Sequence, residues 1–376
     1  MATTTPSIQS DLTDAPTSDL SAFVFAQVDL HKRLDEYTKI STSDDTECFL
    51  KTVFKYLPPG GQQNLAEDVL GCNSDERIRQ LVKSIETGLL LPVKALGGKP
   101  QEVMPNPRLG AADSVENLAS RDIQSISRND QERLRSECMR RDGNRCVITG
   151  VYDTNMKDRP RGATIGFLEA AHILPFALGT YRNEAERHRI CLIWTNIYRY
   201  FPEVRARLNF LSTDINSEKN VMMLLKPLHQ EFGNFSLSFM ATDIPDTYRL
   251  KTFDGFSNVY NWLLPANRLV AFTSSDQRYS LPHPVLLGIH DAIAHILHLT
   301  GRGEKADKLQ QDYNELGCLA PGGTTDIESL LALSTLGPLE LYTNRQRSAP
   351  AGEQKSRSQS AHTRARVPSN ENQRPA

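Results

Sequence analysis

Three short runs decide how this chain is read: Arg145-Cys146-Val147-Ile148-Thr149-Gly150, Phe167-Leu168-Glu169-Ala170-Ala171-His172-Ile173-Leu174-Pro175, and Asn220-Val221-Met222-Met223-Leu224-Leu225-Lys226-Pro227-Leu228-His229-Gln230-Glu231-Phe232. A His, an Asn and a His occur in that order, each beside a short apolar run or the start of a helix. Arg145–Ile148 and Phe167–Ile173 read as strands, and Pro175 stops the second. Asn220 opens a further strand. Pro227 suits the first turn of a helix, because its missing N–H has no partner to lose there. His229 then falls in that first turn and points back toward the strands. His172 ends its strand, where a side chain can project into a groove, and Asn220 is expected to hold the His172 backbone or ring in one orientation.

Phosphodiester hydrolysis needs an activated water, neutralised phosphate charge and help for the leaving oxygen. A neutral imidazole supplies the first and a divalent cation the other two. Cys146-x-x-Thr149-Gly150, Ala171-His172-Ile173-x-Pro175, and Leu228-His229-x-x-Phe232 followed by Phe235 together resemble the HNH nucleases, most closely the fungal-type HNH endonuclease-like proteins. The resemblance covers about residues 128–301, including a helix at Pro282–Gly301 that carries His290. It implies a ββα-metal fold, with His172 as general base, Asn220 as its orienter and His229 as a metal ligand. It also implies a nucleic-acid substrate, DNA before RNA. Two positions depart from the pattern: Ala171 and Gly233 stand where many relatives carry further ligands. Glu169, two residues before Ala171 and so about 6–7 Å away on the same strand face, is a candidate substitute. Glu231 is a second, although two helical positions from His229 put it on another face.

Cys146 reads as a small buried residue rather than a ligand. Thr149 stands where zinc-bearing relatives have a second Cys. No C-x-x-C pair occurs anywhere, so one Mg²⁺ or Mn²⁺ ion suits the site better than zinc. Asp291, His295 and His298 share one helical face, which reads as a polar face. Metal-dependent hydrolysis of nucleic-acid phosphodiesters is the leading expectation. A fold that has lost its ligands and serves as a nucleic-acid-binding or protein-interaction module is the alternative. A third possibility is a scaffold whose business lies in the N-terminal helices.

The formal net charge is −2, from 43 Lys/Arg against 45 Asp/Glu, so a nucleic-acid footprint must be local. Residues 1–50 are acidic, nine Asp/Glu against three Lys/Arg. Residues 344–376 are basic, seven against two. Local basic stretches are the helix ending in Arg140-Arg141 and the loop 155–166 with Lys157, Arg159 and Arg161. Six scattered cysteines argue for free thiols in a reducing compartment. No run approaches the ~18 apolar residues of a membrane span, and no secretory signal pattern opens the chain. An intracellular site, nuclear or cytoplasmic, is expected, with no membrane partner. No feature assigns an oligomeric state.

The expected class is α+β: an HNH core with helical insertions, preceded by a small helical unit. Residues 1–17 read as disordered and 18–92 as helical. Within that unit one stripe runs through Leu20, Phe23, Leu30, Leu34 and Tyr37. A second helix spans Asp44–Leu57, stopped by Pro58-Pro59-Gly60-Gly61. A third is capped by Ser74 and ends at Gly88. Residues 93–127, rich in Gly and Pro, read as a linker. Within 128–301, a helix begins at Asn129, another covers 183–201, and strands are expected at Phe235–Phe239, Tyr248–Phe253 and Leu269–Thr273. Residues 302–343 read as a partly helical extension and 344–376 as a disordered basic tail.

Overall fold

Apolar residues three and four apart fix the first helices, each burying its stripe. Helix α1 (Thr17–Asp35) buries Leu30 and Leu34, and α2 (Thr46–Tyr56) buries Phe49, Leu50, Val53 and Phe54. The computed structural model describes residues 17–94, 103–121 and 130–314. The expected N-terminal disorder before Thr17, the capping Asn129, Cys318 and the basic tail lie outside these residues. So does most of the 302–343 extension.

The Pro-Pro-Gly-Gly run ends α2 but also begins α3 (Pro59–Leu70), because a proline in a helix's first turn loses no hydrogen bond. Gly61 is where α3 meets the chain at Tyr200: a Cβ there would overlap the Tyr200 carbonyl oxygen. Gly61→Ala is therefore expected to destabilise the protein by about 1–3 kcal/mol, read as a lower denaturant midpoint at unchanged m. Helix α4 (Asp75–Ile85) is capped by Ser74 Oγ, which accepts from the Arg77 N–H. Gly88 does not end it. One π-helical turn (Glu86–Leu90) carries the chain on into α5 (Leu91–Lys94). Gly88 is small because the Asn196 side chain lies where its Cβ would be. Part of the expected linker is also helical: α6 (Ala111–Arg121) lays Ala111, Val115 and Leu118 inward, against the later helix that contains Asn196.

Helix α7 (Asp130–Arg141) leads into a turn with Gly143 and Asn144 at positive φ. The strand expected at Arg145–Ile148 is instead a tight knuckle with one bridge, Arg145 to Tyr152. The Cys146 N–H donates to the Val151 carbonyl and the Gly150 N–H to the Cys146 carbonyl, both at 2.9 Å. Gly150, at φ +70°, lets the chain double back too soon for a ladder to grow. Strands β1 (Tyr152–Asp153) and β2 (Ile165–Gly166) form a short parallel pair.

The central pair is β3 (Leu168–His172) against β4 (Val221–Leu225), antiparallel, with Glu169 opposite Leu224 and His172 opposite Val221. Between them run α8 (Glu184–Tyr200) and α9 (Glu203–Ala206). Helix α10 (Lys226–Gly233) follows β4 directly and packs on both strands. Strands β5 (Leu237–Ala241), β6 (Thr247–Thr252) and β7 (Leu269–Ala271) make an antiparallel sheet close to the expected runs. Helix α11 (Pro284–Leu299) packs on β5, and α12 (Arg302–Asn314) follows it. The fold is thus mixed, helices around small separate sheets.

One apolar core runs from Leu30 to Leu297. Helices α3 and α6 pack on α8, and α2 on α11. Asp68, buried in α3, receives the Arg199 guanidinium, the Tyr200 hydroxyl and the Asn106 amide. Arg302 donates to Glu86 and Asp45 and lies 4.3 Å over the Phe49 ring. Among the described residues no helix is long and apolar enough to cross a membrane.

Candidate active site

The β3–β4 pairing brings His172 and Asn220 together. His172 is the last residue of β3, and its cross-strand partner Val221 follows Asn220. Asn220 is fully buried. Its amide does not bond the His172 ring, which corrects one half of the expectation, and it serves the backbone just beyond His172. Asn220 Oδ1 accepts from the Leu174 N–H at 2.8 Å, and Nδ2 donates to the Leu174 and Ile215 carbonyls at 2.9 and 3.0 Å. The Ile173 N–H donates to the Asn220 carbonyl at 2.8 Å. These bonds fix the end of β3, and with it the His172 backbone.

The imidazole itself is held by a residue that the sequence did not single out. His172 Nε2 lies 3.1 Å from Asn216 Oδ1, and the ring meets Phe176 edge-on. An amide oxygen can only accept, so Nε2 carries the proton and Nδ1 the lone pair. Burial holds the His172 pKa below its ordinary value. The Asn216 bond opposes this, and the nearby His229 adds to it. His172 is therefore a neutral base at neutral pH.

His229, in the first turn of α10, reaches back to β3 as expected. Its Nδ1 lies 2.8 Å from Glu169 Oε2. The carboxylate orients the ring, with the Nδ1 edge turned to Glu169 and the Nε2 edge turned away from it. The same carboxylate has Lys226 Nζ at 3.6 Å. Glu169, His229 and Lys226 are all partly exposed, so the cluster is open to solvent. Glu231 is not part of it. Its side chain is buried against Ser236 and the Ser257 N–H.

Among the described residues no three His, Cys, Asp or Glu side chains converge. Ala171 is buried, and Gly233 ends α10 without a donor. The available donor is one imidazole edge, His229 Nε2, with a carboxylate on the opposite edge in the manner of metal-bound histidines. So sparse a set leaves most of a cation's shell to water and substrate phosphates. It fits zinc poorly, which wants three or four nitrogen or sulfur ligands. The five described cysteines are unpaired thiols, four of them buried.

Two buried groups brace this site. Arg141 and Asp142 form a charged pair with N–O distances of 2.7 and 2.9 Å. Arg141 also donates to the carbonyls of Glu218, Val221 and Ser280, and Asp142 accepts from the Met223 N–H. The pair thus grips the chain on both sides of Asn220. On the far side, the α11 residue His290 is stacked between Phe232 and Phe235, at 3.8 and 4.3 Å, and bonds the Phe232 carbonyl. Burial drives its pKa down to about 3, so it is a neutral clamp on the end of α10. Asp291, His295 and His298 make hydrogen bonds within the fold, to Ser238, the Asp291 carbonyl and the Phe235 carbonyl respectively. That is the polar face the sequence suggested.

Residues 146–240 match the family model of the HNH endonucleases, a span that runs from Cys146 through His172, Asn220 and His229 to Met240. No match to this chain arises among curated proteins or among solved structures.

Proposed function

We propose, taking as premise the HNH endonuclease domain that residues 146–240 carry, that this protein hydrolyses nucleic-acid phosphodiester bonds with the help of one divalent cation. The observation that carries the reading is a buried His172 held by Asn216, whose pKa is lowered by burial and further by a nearby second histidine, His229, itself 2.8 Å from Glu169. The β3–β4–α10 unit is then of ββα-metal type. Mg²⁺ or Mn²⁺ is the cation, and DNA is favoured over RNA by the resemblance alone.

His172 acts as the general base. Its Nδ1 takes a proton from the attacking water while Asn216 holds the ring through Nε2. Asn220 is a positioning residue that sets the His172 backbone. His229 would hold the cation through Nε2, with Glu169 on the Nδ1 edge orienting the ring and Lys226 3.6 Å from that carboxylate. When bound, the cation supplies Lewis-acid charge for the phosphate and the leaving oxygen.

A plasmid-nicking assay tests this. Supercoiled DNA is expected to become nicked with Mn²⁺ or Mg²⁺ and to stay intact in EDTA. His229→Ala is expected to be inactive, and Glu169→Gln to need about 10- to 100-fold more metal for half-maximal cleavage. Nicking that persists in EDTA would sink the metal-dependent mechanism. The sparse donor set around Ala171 and Gly233 favours a second reading, a binding module without chemistry. Silence with every metal, on protein that still shifts nucleic acid in a gel, would select it.

A further inference from the structure

Phe167 stands one residue before β3 with 69% of its surface exposed, an unusual position for a phenyl ring that finds no cover in the fold. Strand alternation puts it on the same side of the chain as Glu169, about 6–7 Å along. Its carbonyl accepts the N–H of Lys226, the first residue of α10, at 3.0 Å. The Phe167 backbone is therefore anchored beside the strand and the helix start that carry the Glu169–His229 pair.

The chain leading to Phe167 is the loop between β1 and β2. The Thr154 N–H donates to the Gly166 carbonyl at 2.9 Å, so the loop opens and closes next to Phe167. It carries Lys157, Arg159 and Arg161, all exposed, against the single acid Asp158. Among the described residues none of the three cations pairs with a carboxylate. Arg159 donates only to the Met156 carbonyl. Lys226, whose N–H bonds the Phe167 carbonyl, adds a fourth exposed cation, 3.6 Å from Glu169.

An exposed aromatic beside exposed cations, three of them unpaired, is what a single nucleic-acid strand requires: a π-face for a base and positive charge for its phosphates. In a duplex the bases are stacked on one another and offer no free face to a side chain. We propose that Phe167 is a stacking platform for an unpaired base, and that Lys157, Arg159, Arg161 and Lys226 track the phosphates around it. The site would thereby favour single-stranded or locally opened nucleic acid. This inference rests on the nuclease reading for its site, but it concerns binding and can be tested without cleavage.

The test uses the full chain in EDTA, with fluorescein-labelled dT20, rU20 and a blunt 20-base-pair DNA duplex, followed by fluorescence anisotropy. Wild type is expected to bind the single strands more tightly than the duplex. Phe167→Ala is expected to weaken single-strand binding about 5- to 150-fold, the range for losing one base–aromatic stack, with little change for the duplex. Phe167→Trp should restore it. Phe167→Leu, apolar but not aromatic, should not. A Lys157→Gln, Arg159→Gln, Arg161→Gln triple variant should weaken every ligand and flatten the salt dependence of binding. A larger Phe167 effect on dT20 or on rU20 assigns DNA or RNA and supports the proposal in either case. Equal binding by wild type and Phe167→Ala, or rescue by Phe167→Leu, would overturn it. Metal-dependent plasmid nicking by the same wild-type preparation is read separately. If nicking is absent while the Phe167 effect is present, the nuclease reading fails and the platform stands. If nicking is present and the Phe167 effect is absent, only the platform fails.

Discussion

Replacing His172 by alanine is expected to lower plasmid cleavage about 10²- to 10⁴-fold, the usual contribution of a positioned general base. The fall should appear in the rate at saturating metal, since His172 is not among the groups that would hold the cation. Its pH dependence gives the sharper check. Burial depresses the His172 pKa, with the nearby His229 adding to the effect and the Asn216 bond resisting it. A depressed histidine pKa leaves the base form dominant at neutral pH. The wild-type rate should therefore be flat through pH 7 and fall on the acid side only below about 6.5, the ordinary histidine value. Asn216→Ala removes the bond that resists the depression, so its acid limb should move to lower pH still. Rates measured from pH 5 to 8 decide the matter. An acid limb centred above 6.5, or wild-type activity in His172→Ala, would remove His172 from the base role.

The largest effect on stability is expected at Arg141, which is fully buried and has no apolar task. Removing its guanidinium leaves the Asp142 carboxylate in the core with only the Met223 N–H among the bonds described above. It also strips donors from the carbonyls of Glu218, Val221 and Ser280. Breaking one side of such a pair costs on the order of 3–5 kcal/mol. Arg141→Ala should show that loss in chemical denaturation. It should also loosen the Asn220 segment, so that hydrogen exchange at Ile173 and Leu174 quickens relative to β5. A loss below about 1 kcal/mol would mean that water or a rearranged neighbour satisfies Asp142.

The sequence made some of this legible because periodicity is local. The stripes of α2, α4, α8 and α11 repeat at helical spacing, and β3 and β4 are apolar runs with clear ends. His172, Asn220 and His229 were singled out by their order within those runs, and Glu169 as a candidate ligand by strand alternation. What escaped depended on distant chain. Helix α6 has only three inward residues and needs α8 to bury them, so its composition reads as linker. The Arg145–Ile148 strand failed because Gly150 turns the chain before a partner can pair. Asn216, Arg141 and Phe167 carry no periodic signal at all. Their significance appears only when the β3–β4 register brings residues some 40 to 80 positions apart into contact.

The Asn220 side chain joins two points on the chain 46 residues apart, and everything between them leaves and returns through that narrow neck. Such a closure insulates the site from the length of what it encloses. The entropic cost of the excursion grows only with the logarithm of its size, roughly 0.6 kcal/mol per doubling. Residues 177–214 can thus lengthen, shorten or take on new surface with the two strands still in register. The helix in that excursion, α8, is also the one on which α3 and α6 rest. Two of the N-terminal helices are thus mounted on a side branch, while α2 rests on α11.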